Sequence, residues 1–536
     1  MSPADGATPT APRAEDPPRP DAAARRAARL DPPAPPPSFD ATLGERVSDR
    51  VNPILVRELL QALNGRAFLA TLTLSLFVIV LVALSSTSDA DLSRPTGGRA
   101  FVLALRALTP VLLFLLPFRA FLSMRQEVAP GTLEHLLLSR LTPGRIVRGK
   151  LLAGCVEFGL FLSVFAPLLA LTYLLRGIDI PTIALMLALA FLGAFTATTL
   201  AVAMGALSRW PAGRALPLVV LALGLAVTTV GLVGSMPQIV WSVALLPQQK
   251  EAVDALIAVL LPIGLGCVLL SLVACAALAH PYENRSTTFR AFAIGSLLIG
   301  IAWMTYFATR YRSTGFIRIG VAEYVPVFVA MCTLPLIPFW LFAVTEEEAF
   351  SPRTRTTVPR RRVLALLAAP FLPGGGRGML FTLLLAGVAI AGAALCPRWF
   401  EGRGPGLSGW RSAVGAWAYT LLFASLVGAL RRRVLAPGPR GSTIARVGAP
   451  FLLLLFTLVP TIFDLLRGTP SRSWNVLRLL SPAHTLEEIG RTDGAGEALP
   501  SLLTLTALLL LFQVPTIVRG LRETLAASRG RAPRAS

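Results

Sequence analysis

Long apolar runs separated by short polar segments dominate the pattern of this chain. A helix needs about 20 apolar residues to cross the hydrocarbon core of a bilayer, and runs of that order recur about twelve times. Lipid offers the backbone no hydrogen-bond partners, so such runs are expected to be helices. We therefore predict an all-α, polytopic integral membrane protein. The predicted spans are Phe68–Leu84, Phe101–Phe118, Leu151–Leu175, Ile183–Leu207, Leu216–Val233, Ala255–Ala279, Ala291–Thr309, Tyr324–Val344, Met379–Cys396, Ala413–Leu430, Gly448–Leu466 and Leu502–Val518.

The composition agrees with this class and offers little catalytic chemistry. Of the 536 residues, 54% are hydrophobic and 15% are charged, and the mean hydropathy is +0.66. The cysteines and histidines show no metal-ligand or disulfide spacing, and every cysteine lies in or beside an apolar run. We predict no metal site and no catalytic residue. These residues are Cys155, Cys267, Cys275, Cys332, Cys396, His135, His280 and His484.

The distribution of arginine predicts the orientation of the spans. The formal net charge is +21, and the basic residues concentrate in alternate loops. Cytoplasmic loops carry such an excess of Lys and Arg, so these loops and both termini are predicted to be cytoplasmic. A basic chain can also bind nucleic acid, but here arginine lies beside apolar spans, and we expect no nucleic-acid partner. The basic segments are the N-terminal tail and residues 119–150, 353–377, 431–446 and 519–534.

The same patterns divide the chain into regions. The first 50 residues are rich in Pro, Ala, Arg and Asp and lack the apolar stretch of a signal peptide, so they are predicted to be a disordered cytoplasmic tail. The remaining predicted regions are a six-span unit (51–290), two further spans (291–352), a cytoplasmic linker (353–378), a four-span region (379–519) and a basic cytoplasmic tail (520–536).

A short amphipathic helix is predicted between the second and third spans. Pro130 and Gly131 end any helix that continues from the second span, and Thr132 can cap a new one. Four leucines then follow at helical spacing. The residue before a proline avoids the α region, so Thr142–Pro143 ends this helix. The leucines are Leu133, Leu136, Leu137 and Leu141.

A second amphipathic helix is predicted just before the first span. Asn52 suits the N-cap and Pro53 the first helical position. Leucines recur every four residues behind them, so the helix is expected to lie along the cytoplasmic interface. The leucines are Leu55, Leu59 and Leu63.

These two segments resemble permease subunits of ATP-binding-cassette (ABC) exporters of the type-2 family. In that pattern an acidic residue precedes Gly-Thr-Leu-Glu, and a Leu-Thr-Pro turn and Gly-Lys-Leu follow. This chain supplies Glu127, Gly131–Glu134, Leu141–Pro143 and Gly149–Leu151, and departs from the pattern at Ala129–Pro130. The family's interfacial helix carries Asn-Pro, an Arg-Glu pair and a basic residue before the first span. The resemblance covers about residues 51–290.

The resemblance implies a function and a set of site residues. A separate ABC ATP-binding subunit would bind ATP and Mg²⁺, and the permease would convert its movement into export across the cytoplasmic (inner) membrane. A second copy of this chain or another permease is a further candidate partner. The implied contacts with the ATPase are Glu127, Gly131, Thr132, Leu133, Glu134, Leu137, Leu141 and Pro143. The implied residues of the interfacial helix are Asn52, Pro53, Arg57, Glu58 and Arg66.

No ATP-binding motif or cofactor is predicted for this chain itself. Gly144–Lys150 has the glycine and lysine spacing of a phosphate-binding loop. Leu151 follows it, however, where Mg²⁺ binding needs the hydroxyl of Ser or Thr. The protein is therefore predicted to be a transport subunit rather than an enzyme.

Two alternatives of other classes stay open. An ion-coupled secondary transporter needs charges near the bilayer midplane, and such charges are scarce here. We expect Arg106 to snorkel from the outer end of its span and Glu157 to contact water near the cytoplasmic end. Glu346–Glu348 is predicted to be a solvated cap. The other alternative is a membrane assembly scaffold without transport.

The predicted orientation can be tested by thiol labelling in intact cells. Cysteines introduced at Ser139 and at Ser442 should not react with a membrane-impermeant reagent. Labelling of the Ser139 site from outside would overturn both the orientation and the coupling role of its segment.

Overall fold

The computed structural model describes residues 53–88, 96–128, 142–208, 215–246, 252–280, 283–311, 336–401, 407–435, 439–466, 476–491 and 496–529. In these ranges the chain is helical and contains no strand. Among the described residues, eleven helices are long and apolar enough to cross a membrane. The predicted all-α, polytopic membrane fold is therefore confirmed.

The first half of the chain consists of one short helix and six candidate spans. Helix α3 is continuous but contains a π-helical turn at Val111–Leu115, between Pro110 and Pro117. The helices are α1 (Pro53–Leu63), α2 (Arg66–Ser88), α3 (Gly97–Glu127), α4 (Pro143–Leu174), α5 (Ile180–Leu207), α6 (Ala215–Leu245) and α7 (Ala252–Leu278).

The second half mixes long and short helices. A 3₁₀ turn, Ala369–Phe371, follows α11, and another, Val476–Leu480, precedes α15. The helices are α8 (Ser286–Tyr311), α9 (Ile337–Val344), α10 (Pro352–Thr357), α11 (Arg362–Ala368), α12 (Gly375–Glu401), α13 (Leu407–Arg433), α14 (Pro439–Leu466), α15 (Pro482–Arg491) and α16 (Ala498–Arg529).

The helices run longer than the apolar runs that predicted them. Helix α4 begins at Pro143 rather than near Leu151, because the basic residues at the membrane interface are helical too. Of the predicted span Tyr324–Val344, only the part that contains α9 falls within the described residues. The predicted N-terminal tail (1–50) lies outside them, whereas residues 520–529 of the predicted C-terminal tail continue helix α16.

Helix contacts form two groups of spans. Helix α5 packs against α3, α4, α6 and α7, while α12 packs against α8, α9, α13 and α16. The two groups meet where α7 contacts α8. There the Tyr306 hydroxyl donates a 2.9 Å hydrogen bond to a carboxylate oxygen of Asp254.

Lipid-facing and protein-facing spans differ in burial. In α12 and α13, 61% and 67% of the apolar stretch is buried, against 11% in α14 and 6% in α7. Lipid tails are as apolar as leucine, so the hydrophobic effect does not drive helices together within the membrane. Association depends more on small residues, which let two helices approach closely. At Gly378, a β-carbon would lie only 1.9 Å from the carbonyl oxygen of Ala343, so α9 and α12 approach backbone to backbone.

A second close contact through a glycine lies at the opposite end of the first group of helices. The Gly97 N–H donates a 2.7 Å hydrogen bond to the carbonyl of Arg176. A β-carbon at Gly97 would lie 2.2 Å from that oxygen, so only glycine fits. The start of α3 therefore rests on the turn between α4 and α5, at the end opposite to Glu127 and Lys150.

Arg106 has a specific partner inside the membrane. Pro237 lies within α6 and has no N–H, so the Val233 carbonyl four residues earlier loses its helical donor. The Arg106 Nε donates a 3.1 Å hydrogen bond to that carbonyl. A carbonyl without a hydrogen-bond donor costs roughly several kcal/mol in the bilayer core. Arg106 supplies the missing donor, which explains why a charged residue lies in this apolar span.

Substituting both residues tests this account. Arg106→Leu should destabilise the protein by roughly 1.5–3 kcal/mol, the usual value of a hydrogen bond to a charged group. In a Pro237→Ala background the new N–H can satisfy Val233, so the same change should cost less than about 1 kcal/mol. Thermal unfolding in detergent measures both. Equal costs in the two backgrounds would show that Arg106 does not act through Val233.

Candidate functional site

The ends of α3 and α4 meet at one point. Glu127 closes α3 and Lys150 lies two turns into α4, and a carboxylate oxygen of Glu127 lies 3.3 Å from the Lys150 Nζ. Residues 129–141 connect the two helices in sequence and lie outside the described residues. This is the segment for which the sequence predicts a coupling helix.

Helix α1 packs across this point. Ile54 and Ala62 are buried, Glu58 lies between them on the same face with its side chain 12% exposed, and Leu63 is 44% exposed. Of the three leucines in the predicted stripe, Leu55 and Leu59 are partly buried and Leu63 is exposed, and the interfacial location of the helix stays a prediction. A carboxylate takes the position between Ile54 and Ala62 because a cation faces it.

The cation is Lys150, whose side chain is 2% exposed. Its ammonium donates hydrogen bonds of 2.8 Å to a carboxylate oxygen of Glu58 and 2.6 Å to the hydroxyl of Ser123. The Ser123 hydroxyl in turn donates a 2.6 Å hydrogen bond to the other oxygen of Glu58. The three groups come from α4, α1 and α3, so one ammonium connects three helices.

Arg57 completes the arrangement. Its guanidinium donates a hydrogen bond to Glu127 and lies 3.6 Å from Glu58. Two cations thus face two anions, and the formal charges cancel. We call Arg57, Glu58, Ser123, Glu127 and Lys150 the Lys150 cluster. The second oxygen of Glu127 lies within ion-pair distance of Lys150 but accepts no hydrogen bond from the described residues.

The carboxyl of Glu58 shows how the cluster balances burial and charge. Burial raises the pKa of Glu58, but Lys150, Ser123 and Arg57 outweigh it and hold the pKa below the ordinary value of 4.5. A carboxyl whose pKa is lowered by folding stabilises the folded state when the pH is above the ordinary pKa of that carboxyl. This stabilisation is lost as the pH falls through the lowered pKa. The contribution of Glu58 is therefore present at neutral pH and is lost only in acid.

A second ion pair lies deeper along the same helices. Arg119 lies two turns before Glu127 and Glu157 two turns after Lys150, and their charged atoms are 3.3 Å apart. The Arg119 guanidinium also lies over the ring of Phe68, 5.3 Å from its centroid. Glu157 therefore has a protein partner, where the sequence analysis expected water.

The other sequence-predicted residues fall into two sets. Pro53 opens α1, Arg66 opens α2 with an exposed side chain, and Pro143 opens α4 behind an extended Thr142. Gly144–Lys150 forms the first turns of α4, and Lys150 is held by carboxylates, so it does not form a phosphate loop. The residues that lie outside the described part of the chain are Asn52, Gly131, Thr132, Leu133, Glu134, Leu137 and Leu141.

The second half contains a buried arginine site that the sequence analysis missed. Glu346, expected to be a solvated cap, accepts a 2.7 Å hydrogen bond from Arg290 of α8. Arg290 is 2% exposed and also donates to the carbonyls of Pro370 and Leu372, at 2.8 and 2.5 Å. The expectation fails for Glu346 because the cap is covered by the turn that leads into α12. Glu347 alone of the three is exposed.

Three further arginines from three further helices reach the same short segment. Arg377 donates a 2.8 Å hydrogen bond to the Glu348 carbonyl, and Arg446 a 2.9 Å bond to the Thr345 hydroxyl. Arg432 lies 3.7 Å from the Glu348 carboxylate. The sequence did contain an indication of this site: three consecutive glutamates follow an apolar run, and arginines lie at the ends of several other spans.

Comparisons with models of known families, with curated proteins and with solved structures found no match. Within the described ranges, no group of three or more His, Cys, Asp or Glu side chains could hold a metal ion. What the structure brings together is an ionic connection between helices rather than a catalytic pocket.

Removing the ammonium tests the Lys150 cluster. Lys150→Met should destabilise the protein by about 3–5 kcal/mol, because it leaves two buried carboxylates facing one guanidinium. Arg148→Met, an exposed arginine on the same helix, is the matched control and should cost less than about 1 kcal/mol. Thermal unfolding of the purified chain measures both. The combined variant Lys150→Met with Glu58→Gln should regain part of the loss, and its failure to do so would contradict the pairing.

Proposed function

We propose that this chain is the membrane-spanning permease subunit of an ABC exporter that couples ATP hydrolysis by a separate subunit to outward transport. The Lys150 cluster carries the proposal. It joins α1 to Glu127, just before segment 129–141, and to Lys150, two turns into the helix that follows it, so α1 and the helices on both sides of the segment form one ionic unit. Ordinary juxtamembrane helices need no such connection.

A connection of this kind can transmit force. The partner ATPase would push on segment 129–141, whose two ends continue directly into α3 and α4. Because the buried charges cannot separate without a large desolvation cost, α1, α3 and α4 would move together at this end. The pair Arg119–Glu157 then holds α3 against α4 two turns further into the membrane. Movement would thus reach the spans as a rigid displacement.

The proposed location is the cytoplasmic (inner) membrane, with the Lys150 cluster and both termini on the cytoplasmic side. The arginine excess of the loops at this end supports that orientation. The partners are the ATP-binding subunit, which would hold ATP and Mg²⁺, the surrounding lipid, and a second copy of this chain or another permease.

A single substitution in segment 129–141 tests the coupling role. Burying one leucine is worth roughly 1.5–3 kcal/mol. Leu137→Asp should therefore weaken docking of the ATPase at least about tenfold, since 1.4 kcal/mol is a factor of ten. The control Ser139→Ala in the same segment should change little. Co-purification of the ATPase and export in reconstituted vesicles measure the two effects.

The result also separates the proposal from a scaffold role. Unchanged docking and export in the Leu137→Asp variant would remove segment 129–141 from the coupling path. Loss of export together with normal membrane insertion and helix content would support the proposal, because the substitution lies outside the described spans.

The Arg119–Glu157 pair favours one alternative, an ion-coupled transporter in which Glu157 carries a proton. Such a carrier must lose and regain its charge in each cycle. Glu157→Gln would then abolish transport driven by a pH gradient. If the protein instead exports with ATP, the folded Glu157→Gln variant would keep that export. Assays with only a proton gradient and with only ATP distinguish the two functions.

A further inference from the structure

Helix α11 presents an apolar face that the described part of the chain does not cover. Ala365 is fully buried in a small apolar cluster against which Ala527 of α16 packs, and Ala369 of the following turn is also fully buried. The remaining face of the helix is a continuous arc of large apolar side chains. These are Val363, Leu364, Leu366 and Leu367, which are 70%, 48%, 42% and 66% exposed.

The chain around this face is entirely basic. Residues 351–376 contain five arginines and no Asp or Glu. Arg353 pairs with Glu283 at 3.6 Å, and both are exposed. The other four arginines are exposed and form no ion pair with the described part of the chain. They are Arg355, Arg360, Arg361 and Arg362.

The position of α11 fixes its depth. Phe371 ends the following 3₁₀ turn and Gly375 opens the span α12, so at most about 15 Å of chain separates them. The apolar stretch Arg362–Phe371 is too short to cross a bilayer core of about 30 Å. It must therefore lie at the level where α12 enters the membrane, beside the lipid headgroups.

We infer that residues 353–371 form an interfacial anchor that binds anionic phospholipid of the same membrane. The apolar arc of α11 enters the boundary between headgroups and acyl chains, and Arg360–Arg362 contact phosphate groups. Apolar insertion together with a basic cluster is the combination by which amphipathic segments select anionic membrane surfaces. The inference does not depend on the transported substrate or on an ATPase.

Its consequence concerns the buried arginine site. The turn that ends at Leu372 supplies carbonyls to Arg290, and the next glycine supplies an N–H to Glu346. A lipid-held α11 would therefore position the segment that Arg290 and Glu346 hold in place. The amount of anionic lipid would thereby influence packing at the entrance of α8, α9 and α12.

Site-specific labelling of the full chain in lipid nanodiscs tests the anchor. In a variant whose five cysteines are replaced by alanine, a cysteine at Leu367 is compared with one at Thr356, an exposed residue of α10. In discs of equal phosphatidylcholine and phosphatidylglycerol, the Leu367 site should react with a water-soluble maleimide at least about tenfold more slowly. A fluorophore there should be quenched by lipids that carry a spin label near the headgroup. Equal reaction rates without quenching would overturn the proposal.

The charge requirement has its own control. We expect the anchor to prefer phosphatidylglycerol over phosphatidylcholine. Replacing Arg360, Arg361 and Arg362 by Gln should reduce this preference, measured as the ratio of labelling rates in the two lipids, by at least about tenfold. Replacing Arg99 and Arg176 at the opposite end by Gln should leave it unchanged. Hydrogen exchange of the wild-type chain gives the same comparison without cysteine replacement, with slower exchange over Arg362–Ala368 in the anionic discs. Protection of Leu367 that requires an added soluble partner, rather than lipid, would assign this face to a protein instead.

Discussion

The first half of this protein depends on placing one ammonium where water cannot reach it. Lys150 is one of only two lysines in the chain, and its side chain is 2% exposed. A buried cation is tolerated only when carboxylates and hydroxyls replace its hydration shell. Glu58, Ser123 and Glu127 do so from two other helices, and this requirement fixes how α1, α3 and α4 meet. Because a misplaced helix would leave a charge unpaired, the interaction specifies position more than it adds stability.

The second half solves the same problem with arginine. There the polar segment is short, Thr345–Glu348, and it lies between α9 and α10. Arg290, Arg377, Arg432 and Arg446 reach it from four different helices, through two carboxylates, a carbonyl and a hydroxyl. The planar guanidinium has five donors and can satisfy several carbonyls at once, which a lysine cannot. Both halves therefore hold a polar connection at the end of a bundle by charges drawn from separate spans.

The sequence predicted the spans well because lipid imposes a strong and local constraint. Apolar runs such as Ile183–Leu207 agree with the helices to within a few residues. Contacts between distant residues could not be predicted in this way. The role of Arg106 depends on a proline 131 positions later, and the partner of Glu58 is a lysine on another helix, far away in the sequence. Hydrophobic pattern describes the contact with lipid, whereas these pairings depend on which spans are neighbours.

Charged residues indicate which helices move together better than apolar residues do. Apolar side chains are nearly equivalent in lipid and in a protein interior, so they say little about which helices move together. A buried ion pair is different, because separating its members leaves a charge without compensation. The pairs Glu58–Lys150 and Arg119–Glu157 therefore mark α1, α3 and α4 as a unit that a load on segment 129–141 would displace as a whole. Within the described residues the first half contacts the second where α7 packs against α8, and Tyr306 and Asp254 form a hydrogen bond there, so a displacement of this unit would act on the second half at that contact.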